Sequence, residues 1–228
     1  MKKVLFFALL AVLLAGFLTW WLAPDVPQTR QVQDLPWQVR PLPDGGSEVF
    51  GIRLGETTLD QASRHLGHVP EFAVFVGEQG PETIEAWFGK IRVGLFDARV
   101  LLKARAPEAL LQEVARNGGE PEPQPSNTWK RSVSEQDLPR VLALPVAEIT
   151  YVPSVQYEPD VVRARFGAPA RIVPHDEHSQ WWLYPDKGLL LLLDDKQKEV
   201  LHYTAPRDFG RLLARVGIDA EAGMTNPE

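Results

Sequence analysis

The chain has 228 residues, of which 44% are hydrophobic, and its 24 basic and 30 acidic residues give a formal net charge of −6. This acidic balance disfavours nucleic acid as a partner, because binding to phosphates needs a basic surface. The absence of cysteine excludes disulfides, thiolate metal sites, a cysteine nucleophile and the lipid acceptor of a bacterial lipoprotein.

Residues 4–23 form an unbroken run of uncharged, mostly apolar residues that follows Lys2 and Lys3. A helix of that length spans about 30 Å, the thickness of the hydrocarbon core of a bilayer. A cleaved signal peptide is the alternative, but its apolar core is usually about 7–15 residues long and ends at a small-x-small site, and no such site ends this run. We therefore expect a retained transmembrane signal anchor over residues 1–23. The positive-inside rule then predicts a single-pass protein of a bacterial inner membrane with its C-terminal part in the periplasm.

Residues 24–48 are rich in Pro, Gln and Asp, a composition that predicts an extended tether. Pro36, Trp37 and the Pro-Asp-Gly-Gly turn at 43–46 are candidates to pack on the domain that follows. After Glu48 the pattern becomes typical of a globular domain.

An internal repeat is the main sign of domain organisation. Residues 55–67 and 155–167 align without gaps at an offset of 100, and each predicts a short helix that ends at a glycine, Gly67 or Gly167. Strand-like segments and then a second helix follow each copy. We predict an α+β fold in which the transmembrane helix precedes two tandem helix–antiparallel sheet–helix units.

The predicted boundaries follow from this repeat. The first unit covers residues 49–116 and the second covers residues 147–217, with a tail over 218–228. The Pro- and Gly-rich stretch that begins at Asn117 opens a linker over 117–146, which contains a short helix within 134–142. In the second unit, the five leucines at 189–193 predict a strand buried on both faces.

The residues that define the repeat resemble those of a known family. They are the LGETTLDQASRHLG segment at 54–67, the VVRARFGAPARIV segment at 161–173, the Trp181-Trp182 strand and the leucine-rich strand. This pattern, over residues 50–116 and 147–217, resembles the SmpA/OmlA family, the BamE-like lipoproteins of the outer-membrane assembly machinery. The tandem arrangement is similar to that of the β-lactamase inhibitor proteins, and the layout resembles uncharacterised proteobacterial membrane-anchored proteins.

The resemblance implies a binding module in the cell envelope and no transferable active site. Two departures stand against it, because the lipoproteins carry a lipidated cysteine and the inhibitor proteins carry disulfides, whereas this chain has no cysteine.

The sequence contains none of the G-x-S-x-G, H-E-x-x-H, Walker A and G-x-G-x-x-G motifs. We therefore expect no enzyme activity, no catalytic residues and no cofactor. The densest group of ligand-type residues is His175, Asp176, Glu177 and His178. Its ordinary interpretation is a polar hairpin tip, and the alternative is a Zn²⁺ or Ni²⁺ site of a metal-dependent envelope hydrolase.

Four aromatic residues on predicted strands are candidates for an interface: Trp87, Trp181, Trp182 and Tyr184. Neighbouring residues of a strand point to opposite faces, so Trp181 and Trp182 cannot both enter the same core. An exposed Trp on a sheet suits an interface, and the alternative is that both are buried. We predict a membrane-anchored periplasmic module that binds another envelope protein on a concave sheet surface and assists envelope or outer-membrane assembly. A purely structural envelope scaffold is a further alternative.

Overall fold

The computed structural model describes residues 33–78 and 80–219. Within these residues the chain has an α+β fold, as the sequence predicts. The helices are α1 (Leu59–Leu66), α2 (Glu108–Asn117), α3 (Leu138–Leu142), α4 (Pro159–Phe166) and α5 (Phe209–Arg215). The strands are β1 (Arg40–Pro41), β2 (Ser47–Val49), β3 (Ile52–Arg53), β4 (Glu71–Gly77), β5 (Gly80–Val93), β6 (Phe96–Ala104), β7 (Glu122–Pro123), β8 (Trp129–Ser132), β9 (Val146–Pro153), β10 (Arg171–Pro174), β11 (Ser179–Tyr184), β12 (Leu189–Asp194) and β13 (Val200–Thr204).

One antiparallel sheet organises the described residues. Its ten strands follow the order β10-β11-β12-β13-β9-β6-β5-β4-β8-β7, and β1, β2 and β3 form a separate small sheet. Strand β9 pairs with β6 on one side and with β13 on the other. The strands of the two predicted units therefore belong to one continuous sheet, joined at β9.

The two faces of the large sheet are covered differently. The first face packs against α1, α2, α3 and α4, whose buried residues share one core with alternate residues of the strands. The second face packs against α5 through Phe209, Leu212 and Leu213 where β11 and β12 lie, and the Arg215 side chain of α5 extends to Glu148 of β9. The remaining part of the second face, over β8, β4, β5, β6 and β9, carries no helix of the described chain.

The leucine-rich strand β12 is buried by helices on both faces of the sheet. Leu189 and Leu191 lie in the core of the first face, whereas Leu190 packs under α5. All three are fully buried. Burial on both faces is what a continuous apolar strand requires, and the sequence-based prediction for this segment is confirmed.

The segment from residue 33 to residue 54 packs onto the domain, and Pro36 and Trp37, which the sequence analysis names as candidates for such packing, make contacts with it. The ring of Trp37 packs edge-on against Phe96 at 5.7 Å and Phe166 at 6.3 Å. The Tyr203 hydroxyl donates to the Pro36 carbonyl at 2.8 Å. Pro36 and Trp37, near the start of this segment, thus hold a proline-rich stretch against the domain.

The region predicted as a linker over 117–146 contributes to the sheet. Strand β8 pairs with β4, with Val74 opposite Arg131, and β7 pairs with β8 at the edge. Helix α3 falls within the short helix predicted at 134–142.

The first helix ends as its sequence predicts. Thr58 is its N-cap, and a complete capping box joins Thr58 and Gln61. Gly67 ends the helix in the left-handed conformation at φ 68°, which a residue without a Cβ adopts at little cost.

The two copies of the repeat differ in their strands. The first copy has the single fourteen-residue strand β5, whereas the matching stretch of the second copy folds back as the β11–β12 hairpin. No helix within residues 33–78 and 80–219 has the length and hydropathy to cross a membrane. The anchor predicted at residues 1–23 lies outside the described residues.

Candidate protein-binding surface

The four aromatic residues singled out in the sequence occupy different environments. Trp182 and Tyr184 lie in the core of the first face, with 1% and 3% of their surface exposed, and Trp181 lies under α5 with 7% exposed. Trp181 and Trp182 thus point to opposite faces, as predicted, and all three of these side chains are buried. Trp87 is different, with 42% of its surface exposed.

Trp87 lies on the part of the second face that no described helix covers, which we name the open face. The register pairs Trp87 with Glu71 of β4 and with Leu101 of β6, and residues paired in this way share a face. A groove of ≈ 300 Å³ runs here over β4, β5, β6 and β8. Its lining residues are Glu71, Ala73, Phe75, Glu85, Trp87, Leu101, Gln124 and Lys130.

Two ion pairs border this groove. Lys103 and Glu85 lie 3.2 Å apart, with 24% and 12% of their side-chain surface exposed, and Lys130 pairs with Glu71. The groove therefore has an aromatic and aliphatic floor and charged side chains at its margin. That is the usual composition of a protein-binding patch, with an apolar centre and a polar rim.

The His175–His178 segment is a turn held together by its own hydrogen bonds. The His178 backbone N–H donates to Asp176 Oδ1 at 2.8 Å, and such backbone bonds lower the pKa of Asp176. His178 Nδ1 lies 3.4 Å from Asp195 Oδ1, and Nε2 contacts Lys196. The His175 ring packs against Trp181 at 5.5 Å. Both ring nitrogens of His178 are thus engaged with neighbouring charged side chains.

A cleft of ≈ 510 Å³ opens beside this turn and is lined mainly by polar residues. Its carboxylates are Glu158, Asp176, Glu177, Asp194 and Asp195. Within the described parts of the chain, no three His, Asp or Glu side chains come together in a way that could hold a metal ion. His175, Asp176 and His178 are therefore not brought together as a set of metal ligands in the described part of the chain.

Two titratable groups near these surfaces have shifted pKa values, the buried Glu199 and the partly buried His202. Glu199 is fully buried, and its burial raises its pKa. His202 on β13 receives or donates a hydrogen bond at 3.1 Å between Nδ1 and Thr150 Oγ1. Burial, with a smaller contribution from Arg215, lowers the pKa of His202 to about 4.

Comparison of the chain with protein-family models, with curated proteins and with solved structures finds no match. The resemblance to the SmpA/OmlA family therefore stays a prediction from the residues of the repeat.

The sequence-based reasoning did not single out Phe75 and Leu101 as neighbours of Trp87, nor the uncovered state of their face. Regular strand pairing across the hairpin between β5 and β6 would have placed Leu102 opposite Trp87, and the register shift between Trp87 and Gly89 brings Leu101 there in its place. No sequence signal shows that α5 covers only one half of the second face, because an amphipathic helix reveals which of its own sides is apolar and not where it docks.

Proposed function

We propose that this protein is a membrane-anchored periplasmic module that binds another envelope protein on its open face. The observation that carries the proposal is Trp87, which is 42% exposed on a sheet face without a covering helix. It lies beside Phe75 and Leu101 in the same groove. Trp is the residue type most often found at the energetic centre of a protein interface.

The apolar neighbours of Trp87 support binding in preference to catalysis. A partner that covers the groove would remove the exposed part of Trp87 and the half-buried Phe75 and Leu101 from water, at about 25 cal/mol per Å². The ion pairs Glu85–Lys103 and Glu71–Lys130 would form the rim. The transmembrane anchor at residues 1–23, the two tandem units and a role in envelope or outer-membrane assembly belong to the same proposal.

Site-specific photo-crosslinking in intact cells tests this proposal. A benzophenone amino acid replaces Trp87 in the full-length chain, and Trp129 gives the matched control because it is 48% exposed. Trp129 pairs with Val76 of the first-face core, so it lies on the first face. We expect a discrete adduct with a second envelope protein from position 87 and none from position 129.

Binding of the purified full-length chain to that protein then measures the contribution of Trp87. Trp87→Ala should weaken binding by about 30-fold, as expected for a side chain at the centre of an interface, and Trp129→Ala by less than about threefold. Equal adduct yields at positions 87 and 129, or no adduct at position 87, would contradict the proposed function.

The structural scaffold is the second candidate, and the burial of Trp182 favours it. The hydrophobic cores of the domain contain Trp181, Trp182 and Tyr184. The strands of both units belong to one sheet, which β9 joins. A scaffold would need no partner at the open face. The crosslinking experiment separates the two candidates, since a scaffold gives no specific adduct at position 87.

A further inference from the structure

Two cations near Trp87 on the open face form no ion pair within 4.0 Å among the described residues, although Lys90 lies close enough to Asp97 to help lower the pKa of that carboxyl. Lys90 of β5 and Arg99 of β6 are directly opposite in the strand register and both are exposed. On the far side of β6, Arg99 is opposite Val152 of β9. Leu101, two residues along β6, shares the face of Arg99 because strand residues alternate.

A β-bulge brings Lys90 onto the same face as Trp87. The register shifts between Trp87 and Gly89, and Gly89 has φ 65°, the left-handed conformation of a glycine bulge. Lys90 follows Trp87 by three positions, an odd spacing that would put them on opposite faces of a regular strand. The extra residue at the bulge restores them to one face.

The charges on this face do not cancel. Each carboxylate that β4, β5, β6 and β9 place on the open face has an ion-pair partner among the described residues. The pairs are Glu71–Lys130, Glu85–Lys103, Asp97–Arg92 and Glu148–Arg215. In the same part of the chain, neither Lys90 nor Arg99 lies within 4.0 Å of a carboxylate. Like charges directly opposite on neighbouring strands are unfavourable, and an incoming carboxylate would offset that repulsion.

We propose that the partner docks on the open face through an acidic polypeptide segment, with carboxylates at Lys90 and Arg99 and an apolar side chain beside Trp87. This inference rests on the proposed function and adds the chemistry of the partner. A polypeptide supplies carboxylates and an apolar side chain a few ångströms apart, as this face requires. Two unpaired cations on a chain of net charge −6 are too few for a nucleic acid or an anionic bilayer.

The test combines the crosslinker at position 87 with charge reversal in the full-length chain. The variant Lys90→Glu/Arg99→Glu keeps two like charges opposite each other. The repulsion between β5 and β6 at this position is therefore present in both the variant and the parent chain. The control Arg116→Glu/Lys198→Glu makes the same change in net charge at two exposed cations elsewhere. Thermal unfolding of each variant shows whether the fold is retained.

We expect Lys90→Glu/Arg99→Glu to lower the adduct yield at position 87 by about tenfold or more, since like charges across an interface are strongly unfavourable. The control should leave the yield within about twofold. Mass spectrometry of the adduct should place at least two Asp or Glu residues within a few positions of the crosslinked residue. Replacing these by Lys in the partner should restore the yield with Lys90→Glu/Arg99→Glu.

The possible failures are distinguishable. An adduct that survives charge reversal in a folded variant, or whose peptide lacks Asp and Glu, overturns the acidic segment and leaves the proposed function intact. An adduct with a phospholipid, or with a second copy of this chain through a segment without carboxylates, also overturns it. If the chain that carries the crosslinker at position 87 and no charge reversal gives no adduct, both proposals are overturned together.

Discussion

The backbone N–H of Tyr157 donates to Glu199 Oε1 at 2.9 Å, across a sequence separation of 42 residues. This bond joins the loop before α4 to the start of β13. The second carboxylate oxygen, Oε2, has no hydrogen-bond partner among the described residues. A buried carboxylate that is only half satisfied is a point at which the stability of the fold depends on pH.

The first prediction concerns Glu199. Burial raises its pKa, so above the ordinary pKa of a glutamate the folded chain keeps a proton that the unfolded chain has lost. The free energy of unfolding contributed by Glu199 therefore falls as pH rises through that window. Glu199→Gln keeps an acceptor for the Tyr157 N–H and cannot ionise. In urea unfolding from pH 4 to 7, the free energy of unfolding of Glu199→Gln should increase relative to that of the wild type as pH rises.

Two further variants complete this experiment. Glu199→Ala removes the acceptor and should destabilise the fold by about 1–3 kcal/mol, the usual effect of leaving a buried N–H unsatisfied. Glu177→Gln, at an exposed position, should leave the pH profile of the wild type unchanged. A constant difference between Glu199→Gln and the wild type across this range would contradict the prediction.

The second prediction concerns His202, whose pKa is lowered to about 4. Between the ordinary pKa of histidine and this value, the unfolded chain binds a proton that the folded chain does not. The free energy of unfolding therefore falls as pH falls through the window, by at most about 3.5 kcal/mol at about 1.4 kcal/mol per pKa unit. The charged side chains around the ring are Arg215 of α5, Glu148 of β9 and Lys103 of β6.

His202→Gln should flatten this acid-side slope in urea unfolding between pH 4 and 6.5. His68→Gln is the control, since His68 is exposed at the end of α1. The prediction fails if His202→Gln keeps the slope of the wild type while His68→Gln does the same.

The third prediction concerns the cap of α1. Thr58 Oγ1 accepts the Gln61 backbone N–H at 3.2 Å, and Gln61 Oε1 accepts the Thr58 backbone N–H at 3.0 Å. Thr58→Ala removes one half of this capping box and should lower the free energy of unfolding by about 1 kcal/mol. Thr58→Ser preserves the hydroxyl and should stay within about 0.5 kcal/mol of the wild type. Equal losses in the two variants would show that the methyl group matters and the cap does not.

The fourth prediction separates the core tryptophan from the surface tryptophan. Trp182 is 1% exposed, and the Arg163 guanidinium lies 4.5 Å above its ring. Trp182→Ala should destabilise the fold by about 3–5 kcal/mol through the cavity that it leaves. Trp87→Ala should cost less than about 1 kcal/mol, because the side chain is already partly in water. Chemical denaturation measures both, and similar losses would mean that Trp87 is also structural.

Local signals made part of this fold predictable. Threonine before an apolar helical pattern, glycine after it and a continuous run of leucines each determine their own short segment, and α1 and β12 formed as predicted. The positions at which helices dock on distant strands were not predictable from such local signals. Strand alternation predicts that Trp181 and Trp182 point to opposite faces of the sheet. Their burial depends on the docking of α4 and α5 over β11, and the sequence around the two tryptophans does not specify that docking.

The candidate surface was predictable only in part for a related reason. Trp87 is visible in the sequence as an aromatic residue on a strand. Lys90 and Arg99 are not recognisable as its neighbours, since the bulge at Gly89 changes the alternation of β5 at that point. A single glycine thus decides which charges accompany the exposed tryptophan.

The entry of the chain at residues 36 and 37 has a mechanical consequence. Pro36 is hydrogen-bonded to Tyr203 of β13, and Trp37 packs on Phe96 of β6 and Phe166 of α4. A pull on the chain at residue 33 therefore loads the middle of the sheet, on both sides of β9, before it reaches an edge strand. Tension arriving from the N-terminal side would be shared by both halves of the domain, and no outer strand would be peeled away first.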